Sequence, residues 1–308
     1  MVLGLWTNLA WSQGNKTLRF VVGYPPGGSG DFVTRTVGEA IAAELGITAL
    51  IDNRPGAAGN LATEVVVKSN DGATLLVASN PYINKALYKK LSYDVDKDLI
   101  PITLLGNGPM VIAVNSALPV HSINELIAYA RKNPGKLNFA SSGNGSSPHL
   151  AGVLFNSVFG LDIIHIPFKG GAPAVQSLIA GDTQVIYGTS PVVLPQVRGG
   201  RIRALAITTQ DKSPAIPGIM GMKEAGQPNY HISFSFGLYA PATWAAADVQ
   251  RVFDAAAKVL QRSDIRDKLA TQGMDPAPNA SPADFKAANL REAPMWSQLI
   301  TASGAKVD

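Results

Sequence analysis

The stretch LRFVVGYPPGGSGD at residues 18–31 decides the fold, and LNFASSGNGSSPH at residues 137–149 repeats its design. Each stretch opens with a short apolar run that is typical of a buried strand and then passes through a loop rich in glycine and serine. Each then enters the spacing of apolar residues that is typical of an amphipathic helix. Strands that alternate with helices predict parallel sheets with right-handed crossover connections.

The chain after each stretch continues in the same order, with a second strand, a glycine-rich turn, a short helix and a third strand. In the first unit the later strands are predicted at 48–51 and 74–78, and in the second unit at 161–166 and 183–187. Few residues are identical between the units, so what repeats is the order of elements. The sequence therefore predicts two α/β lobes, each built on a parallel sheet.

Two extended apolar segments, 102–114 and 231–241, flank the second unit. The first segment is predicted to be broken at residues 106–109, where the sequence reads GNGP. Two strands on either side of an inserted unit are what a two-strand hinge requires. The expected lobe boundaries are residues 16–112 with 236–308 for the first lobe and 113–235 for the inserted second lobe.

The composition excludes several classes of protein. The 308 residues are 46% hydrophobic and 16% charged, so the chain can bury a large core and is not disordered, collagen-like or a coiled coil. The absence of cysteine removes disulfides, thiol nucleophiles and cysteine-ligated metal centres. The net charge of +4 is small and is not concentrated in a run, which argues against nucleic acid as a partner.

Residues 1–12, MVLGLWTNLAWS, form an apolar stretch that ends in a small-x-small pattern, Ala10-Trp11-Ser12, before Gln13. This pattern is typical of the end of a secretory signal peptide, although a basic N-terminal region is missing. We expect residues 1–15 to be a signal-peptide remnant or a disordered N-terminus, and the signal reading favours export. No segment of the sequence has about 20 uninterrupted apolar residues, so no membrane span is predicted.

The loops at the carboxyl ends of the predicted strands form the candidate binding site. Ligands of parallel α/β sheets bind beyond these ends, where the loops at 23–30, 79–81, 141–147, 167–172 and 188–190 are expected to meet. Two of the loops lead into helices, whose free N–H groups and dipole favour an anion. Glycine and serine clusters can also be ordinary turns. Their recurrence in both lobes favours a grip on a small carboxylate.

Side chains in or near these loops complete the candidate site. Aromatic residues are expected to wall the pocket, a lysine is expected at its mouth, and a histidine in the first turn of the second-unit helix is expected to line the cleft. The ligand-binding residues predicted from this placement are Tyr24, Asn80, Ser147, His149, Phe168, Lys169, Gly170, Thr189, Ser190 and Phe236.

Catalytic motifs are missing or incomplete. A nucleophile elbow needs Gly-x-Ser-x-Gly, but Asp31 replaces the last glycine after Ser29. His149 replaces it after Ser147. The dinucleotide-binding pattern fails at Pro148, a Gly-Lys-Ser/Thr phosphate loop does not occur, and the four histidines lack metal-ligand spacing, so no cofactor or metal is predicted. An α/β hydrolase or transferase acting on an anionic substrate stays open as an alternative.

Longer motifs make the sequence resemble the Bug-type, or TctC-like, periplasmic solute-binding proteins of tripartite tricarboxylate transporters. The resemblance runs from about residue 16 to the C-terminus. It is carried by the motifs YPPGGSGD (24–31), DNRPGAAGN (52–60), DGATLL (71–76), ALYKKLSYDVDKDLIPITLL (86–105), PGKLNFASSGNGSSPHLAG (134–152), HIPFKGGAPA (165–174), LPQVRGGRIRALAITT (194–209) and FGLYAP (236–241).

The resemblance implies an α/β, bilobed, type II-like periplasmic binding protein (a Venus flytrap) that has no catalytic activity. Such a receptor captures a mono-, di- or aromatic carboxylic acid between its lobes and delivers it to the permease subunits of a tripartite tricarboxylate transporter. It is expected to be a monomer in the periplasm of a Gram-negative bacterium, and a ligand sensor that partners a signalling receptor is an alternative role. By motif, the resemblance places ligand contacts at Gly27, Gly28, Ser29, Asp31, Ser141, Gly143, Asn144 and Ser146.

Two positions depart from the pattern of the resembled family. The loop after the strand at 183–187 usually carries Asp or Asn, and here it reads Gly188-Thr189-Ser190. Trp commonly precedes the Phe-Gly of the second hinge segment, and here that residue is Ser235. The second change implies a differently shaped pocket.

Overall fold

The structure is a computed structural model that describes residues 17–305, so the prediction for residues 1–15 lies outside the described residues. The strands are β1 (Thr17–Val22), β2 (Thr48–Asn53), β3 (Thr74–Ala78), β4 (Leu99–Asn115), β5 (Asn138–Ser141), β6 (Ile164–Pro167), β7 (Val185–Thr189), β8 (Ile202–Ile207) and β9 (Ser233–Pro241).

Helices connect these strands. The helices are α1 (Ser29–Val33), α2 (Glu39–Glu44), α3 (Asn60–Val67), α4 (Tyr82–Leu87), α5 (Val95–Asp98), α6 (Ile123–Lys132), α7 (Ser147–Phe159), α8 (Gly171–Ala180), α9 (Ser190–Arg198), α10 (Ala246–Gln261), α11 (Ser263–Thr271) and α12 (Pro282–Ser303). A π-helical turn, Thr34–Gly38, joins α1 and α2 into one helical run.

The strands form two halves of the same design. In the first lobe the order is β2-β1-β3-β9-β4, and in the second lobe it is β6-β5-β7-β4-β8. In each lobe the first strand of the repeated unit lies between the second and third strands, to which it pairs in parallel. The repeat of element order in the sequence is therefore a repeat of topology in the molecule.

The sheets are mixed, whereas the sequence predicted parallel sheets. Strand β9 pairs antiparallel with β3 in the first lobe, and β4 pairs antiparallel with β7 and β8 in the second lobe. The parallel pairs are those within the two repeated units. The bilobed α/β class is confirmed, with antiparallel strands added where the chain passes between the lobes.

The hinge consists of two paired strands. Strand β4 pairs with β9 over Leu99–Pro109 and with β7 from Met110 onward, so this one strand belongs to both sheets. The break predicted at residues 106–109 is wrong, since β4 continues through it. The glycines serve close packing instead: a Cβ on Gly108 would lie 2.8 Å from the carbonyl oxygen of Gly273. The expected lobe boundaries fall inside the two hinge strands and stay a prediction.

Local capping explains where several helices begin. Ser122 accepts a hydrogen bond from the Glu125 amide (3.1 Å), while the Glu125 carboxylate accepts one from the His121 amide (2.7 Å), so these bonds close the N-terminus of α6. Ser281 caps α12 by accepting from the Asp284 amide at 3.1 Å. The core of the second lobe is aromatic, with Phe139, Phe155, Tyr187 and Tyr230 buried together.

Two kinds of feature are missing from residues 17–305. No helix in this part of the chain is long and apolar enough to cross a membrane. In the same residues, no group of three or more His, Cys, Asp or Glu side chains is arranged to hold a metal ion.

Candidate functional site

A cleft of about 600 Å³ lies between the lobes, at the carboxyl ends of the parallel strands. This is where ligands of open α/β sheets bind. The first lobe contributes Gly23, Tyr24, Pro25, Gly28, Ser29, Gly30, Pro55, Gly56, Ala58, Gly59, Ser79, Asn80, Ile83 and Tyr88. The second lobe and hinge contribute Ser142, Gly143, Asn144, Gly145, Ser146, Ser147, Pro148, Phe168, Lys169, Gly170, Gly171, Ala174, Ile186, Gly188, Thr189, Val192, Phe234 and Phe236.

Four helices begin at the wall of this cleft. Ser29 starts α1, Ser147 starts α7, Gly171 starts α8, and Thr189 is the residue before α9. The first amides of a helix have no acceptor within the helix, and the helix dipole makes this end positive. The cleft therefore presents backbone N–H groups and partial positive charge from both lobes.

Charged side chains are scarce at the cleft. Among the described residues that line it, Lys169 is the one with a charged side chain, and none is Asp or Glu. An anion placed there meets dipoles, hydroxyls and one ammonium group, without a carboxylate to repel it. Neutral donors at helix ends can hold a carboxylate without a buried guanidinium.

The first-lobe loop is held in shape by Asp31, which is 4% exposed. Its carboxylate accepts hydrogen bonds from the Gly27 amide, the Arg35 guanidinium and the Asn53 amide, each at 3.0 Å. Burial opposes ionisation of Asp31, but these hydrogen bonds outweigh it and lower the pKa of the carboxyl below its ordinary value. Asn53 also donates to the Tyr24 carbonyl at 3.0 Å, which fixes the loop from a second side.

The second-lobe loop is held by a pair of stacked histidines. The Gly145 amide donates to Nδ1 of His149 at 3.1 Å, and the Ser141 hydroxyl lies 2.6 Å from Nε2 of His165. The two imidazole rings stack with their centroids 4.0 Å apart. Burial lowers the pKa of His149 to about 4 and, together with the neighbouring imidazole, lowers that of His165 to about 3. Both rings are therefore neutral at pH 7 and shape the loop from behind.

Aromatic rings form part of the cleft wall. Tyr24 and Phe236 meet edge to face with centroids 5.2 Å apart, and the Tyr24 hydroxyl accepts a hydrogen bond from the Ser79 amide at 3.2 Å. Gly30 permits this arrangement, since a Cβ there would lie 2.4 Å from the Tyr24 ring. Phe168 and Phe234 complete the aromatic part of the wall.

The lobes contact each other at the edge of the cleft. The hydroxyls of Ser29 and Thr189, which belong to different lobes, lie 2.7 Å apart. A Cβ on Gly170 would lie 2.6 Å from the Pro25 ring, and one on Gly145 would lie 2.5 Å from Leu87. The structure is therefore a closed form, in which the two lobes touch across the edge of the cleft.

The structure brings most of the predicted site residues to the cleft. Those that line it are Tyr24, Gly28, Ser29, Asn80, Gly143, Asn144, Ser146, Ser147, Phe168, Lys169, Gly170, Thr189 and Phe236. The others lie behind the wall: Gly27 and Asp31 bond to each other, Ser141 and His149 support the second-lobe loop, and the Ser190 hydroxyl donates to the Gly273 carbonyl at 3.0 Å. A direct contact of any of them with a ligand stays a prediction.

Several lining residues have no signal in the sequence pattern. Among them, Ile83 and Tyr88 belong to α4 and its end. Ser235, which replaces the Trp of the resembled family, pairs with Asn107 in the hinge and is absent from the residues that line the cleft. Glycine clusters reveal loops, but isolated apolar and aromatic residues do not reveal which of them face a pocket.

Comparisons with known proteins agree with this geometry. The family described as "Tripartite tricarboxylate transporter family receptor" matches residues 33–304. Protein BugT from Bordetella pertussis is 32% identical over 296 residues, which cover 95% of this chain and 90% of that protein.

Two solved structures extend the comparison. A protein from R. palustris, solved with adipate, has a TM-score of 0.89 and 29% identity, covering 96% of this chain and 99% of that one. MatC from Rhodopseudomonas palustris, solved with bound malate, has a TM-score of 0.84 and 29% identity, covering 92% of this chain and 98% of that one.

Proposed function

The chain belongs to the tripartite tricarboxylate transporter receptor family, and on that premise we propose that it captures a small carboxylate in the periplasm and delivers it to the permease subunits of such a transporter. Membership in a receptor family makes it a binding protein and not an enzyme. The hydrolase and transferase alternative is thereby set aside.

One observation supports the carboxylate most directly: helix N-termini from both lobes converge on a cleft whose described lining holds one lysine and no acid. Charge-assisted hydrogen bonds to a carboxylate are each worth about 1.5–3 kcal/mol. Relatives with the same fold were solved with adipate and with malate, and both of these ligands are carboxylates.

Capture follows from the closed form. A ligand that bonds to both lobes binds the closed state more tightly than the open state and shifts the population toward it. The contact between the Ser29 and Thr189 hydroxyls stabilises the closed state in addition to the bonds that the ligand makes to both lobes. The ligand is released when the lobes move apart about the hinge strands, and this is the step at which a permease would receive it.

A thermal-shift screen of the ligand-free protein against mono-, di- and aromatic carboxylates tests the proposal. A ligand that binds the folded state raises the melting temperature. A ligand concentration of about 100 times Kd adds about 2.7 kcal/mol to the free energy of unfolding. We expect at least one acid to raise the melting temperature. Lys169→Glu puts a carboxylate at the cleft, and it should weaken the binding of that acid at least about tenfold.

The matched control is Lys136→Glu, the same charge change at an exposed lysine that is absent from the cleft wall. It should leave the affinity within about twofold of the wild type. Equal losses in both variants would mean that only long-range charge matters. No shift with any acid would remove the proposed function.

A further inference from the structure

The cleft is large for a short acid. Its volume is about 600 Å³ although the two lobes already touch across its edge, so closure leaves this space to the ligand. At about 30 Å³ for each molecule, the cleft has room for about 20 waters. A short diacid fills only a small part of such a volume. A cavity of this size is typical of sites that hold a ligand with a larger body.

Most of the surface that the wall of the cleft presents is apolar. The side chains of Tyr24, Pro25, Phe168 and Val192 line the cleft, and each of these residues is only partly buried. The Tyr24 hydroxyl accepts a hydrogen bond from the Ser79 amide at 3.2 Å, so its polar end is bonded within the first lobe. The larger part of a ligand in the cleft therefore lies against carbon.

Three of these side chains, Pro25, Phe168 and Val192, form a strip that crosses the closed cleft, and we call them the apolar strip. Pro25 of the first lobe packs on Gly170 of the second, where a Cβ would lie 2.6 Å from the proline ring. On the adjacent Gly171, a Cβ would lie 3.1 Å from the Val192 side chain. Phe168 and Val192 pack against the same buried cluster of the second lobe. A ligand body that covers the strip therefore touches both lobes.

The charges at the cleft suit one carboxylate. Lys169 can balance one such group, and the described lining offers no second charged side chain. A second carboxylate on the ligand body would lose its hydration against the apolar strip without gaining a cation of its own. An apolar body instead gains free energy when water leaves both its surface and the wall.

We propose that the ligand is a monocarboxylate with a bulky apolar body, which packs on the apolar strip between the lobes, and that diacids are poor ligands. This inference rests on the proposed function, because it assumes that the cleft holds a carboxylate at the helix N-termini. It narrows the ligand class from carboxylates in general to apolar monoacids.

Calorimetric titration of the ligand-free protein with paired probes tests the inference. In each pair a second carboxylate replaces a terminal methyl group or hydrogen: hexanoate and adipate, octanoate and suberate, 3-phenylpropanoate and 3-(4-carboxyphenyl)propanoate. At the length that fits, the monoacid should bind at least about tenfold more tightly than its partner. From hexanoate to octanoate, the affinity should rise about fourfold for each methylene that the wall covers.

Val192→Thr tests the role of the strip, because it replaces one methyl group with a hydroxyl at almost unchanged size. The ratio of monoacid to diacid affinity should fall at least about fivefold, since the apolar body then covers a polar group. Val158→Thr is the matched control. Val158 also lies on a helix, is 36% exposed and is absent from the cleft wall, so this variant should keep the wild-type ratio within about twofold.

The outcomes separate the two proposals. Diacids that bind the wild-type protein as tightly as their monoacid partners would overturn this inference and leave the proposed function standing. Tighter binding of a diacid, lost in Lys169→Glu, would assign Lys169 to a second carboxylate and overturn it as well. A wild-type ratio in Val192→Thr would remove the apolar strip as the site of the ligand body. Failure of every acid to bind would remove the proposed function, and this inference with it.

Discussion

Single residues behind the cleft wall set the shape of its loops. Asp31 joins the Gly27 amide, Arg35 and Asn53, so one carboxylate connects the first-lobe loop, the first helix and the end of β2. The family resemblance predicts that Asp31 contacts the ligand, but the hydrogen bonds of its carboxylate all go to groups of the protein. Its role in binding is therefore expected to be indirect.

Asp31→Asn tests this role. The variant keeps the size of the side chain but removes the charge and presents an NH₂ group to donors. We expect the free energy of unfolding to fall by about 1.5–3 kcal/mol, the usual contribution of a hydrogen bond to a charged group. Urea denaturation measures this change. Wild-type stability with lost ligand binding would instead make Asp31 a direct ligand contact.

The stacked histidines predict a pH dependence. Burial lowers the pKa of His149 to about 4 in the folded state, whereas an unfolded histidine has a pKa of about 6.5. Below pH 6.5 the unfolded chain takes up a proton that the folded chain does not, so stability is complete above pH 6.5 and is lost as the pH falls toward 4. His165 extends this loss to lower pH, because its pKa is about 3.

His149→Asn should make this slope shallower between pH 6.5 and 4. The asparagine oxygen can still accept from the Gly145 amide but does not titrate over this range. Melting curves at several pH values measure the slope. His231→Asn, at an exposed histidine, should keep the wild-type slope. An unchanged slope in His149→Asn would contradict this assignment of the pH dependence.

For single residues, the sequence indicates which loops form the site but not where each side chain points. The Gly/Ser clusters identified both loops because they follow apolar runs. Whether Ser141 or Ser146 faces the cleft depends on hydrogen bonds to His165 and the Gly143 carbonyl, and these partners are distant in sequence or set by loop geometry. Tyr88 has no local signal, because its position on the wall follows from the packing of α4.

Among the elements, the loop between β5 and α7 of the second lobe touches α4 of the first lobe. Gly145 lies in this loop with a φ of +76°, and a Cβ there would lie 2.5 Å from Leu87 and 3.4 Å from Ala58. The contact exists because the lobes are closed. Added bulk at Gly145 should therefore oppose closure more than folding.

Gly145→Asn and Gly160→Asn form a matched pair. Both glycines have a left-handed φ (+76° and +62°), which asparagine tolerates better than most residues, but Gly160 has open space around its Cβ position. We expect Gly145→Asn to weaken the affinity for the best acid at least about tenfold and Gly160→Asn to leave it unchanged. Equal affinities would show that this contact does not govern closure.

The sequence predicted the strands of both units within a few residues, because buried strands are short apolar runs with clear ends. It did not predict α4 or α9. Pro81 precedes α4, and Pro191 and Pro195 lie within α9, so both regions resemble turns in sequence. The antiparallel pairing of β4 and β9 was also missed, because an apolar run does not specify its partner strand.

For the whole molecule, the two similar sheets share one hinge, and this arrangement places the corresponding loops of both lobes on one cleft. The two lobes touch through Ser29 and Thr189 at the edge of the cleft, and the cleft has a volume of about 600 Å³. The low charge of the chain fits this site, since dipoles and neutral donors replace arginine as the groups that hold an anion. We therefore expect the protein to hold a carboxylate by neutral donors between two lobes that close on it.

Titration calorimetry of the ligand-free protein with the best acid of the screen, and with the primary amide of the same acid, is the sharpest test of this mode of binding. The amide keeps the size of the ligand but lacks its charge. We expect saturable binding of one acid per chain and at least about 100-fold weaker binding of the amide, which corresponds to about 2.7 kcal/mol. Equal affinity for the acid and its amide would contradict it.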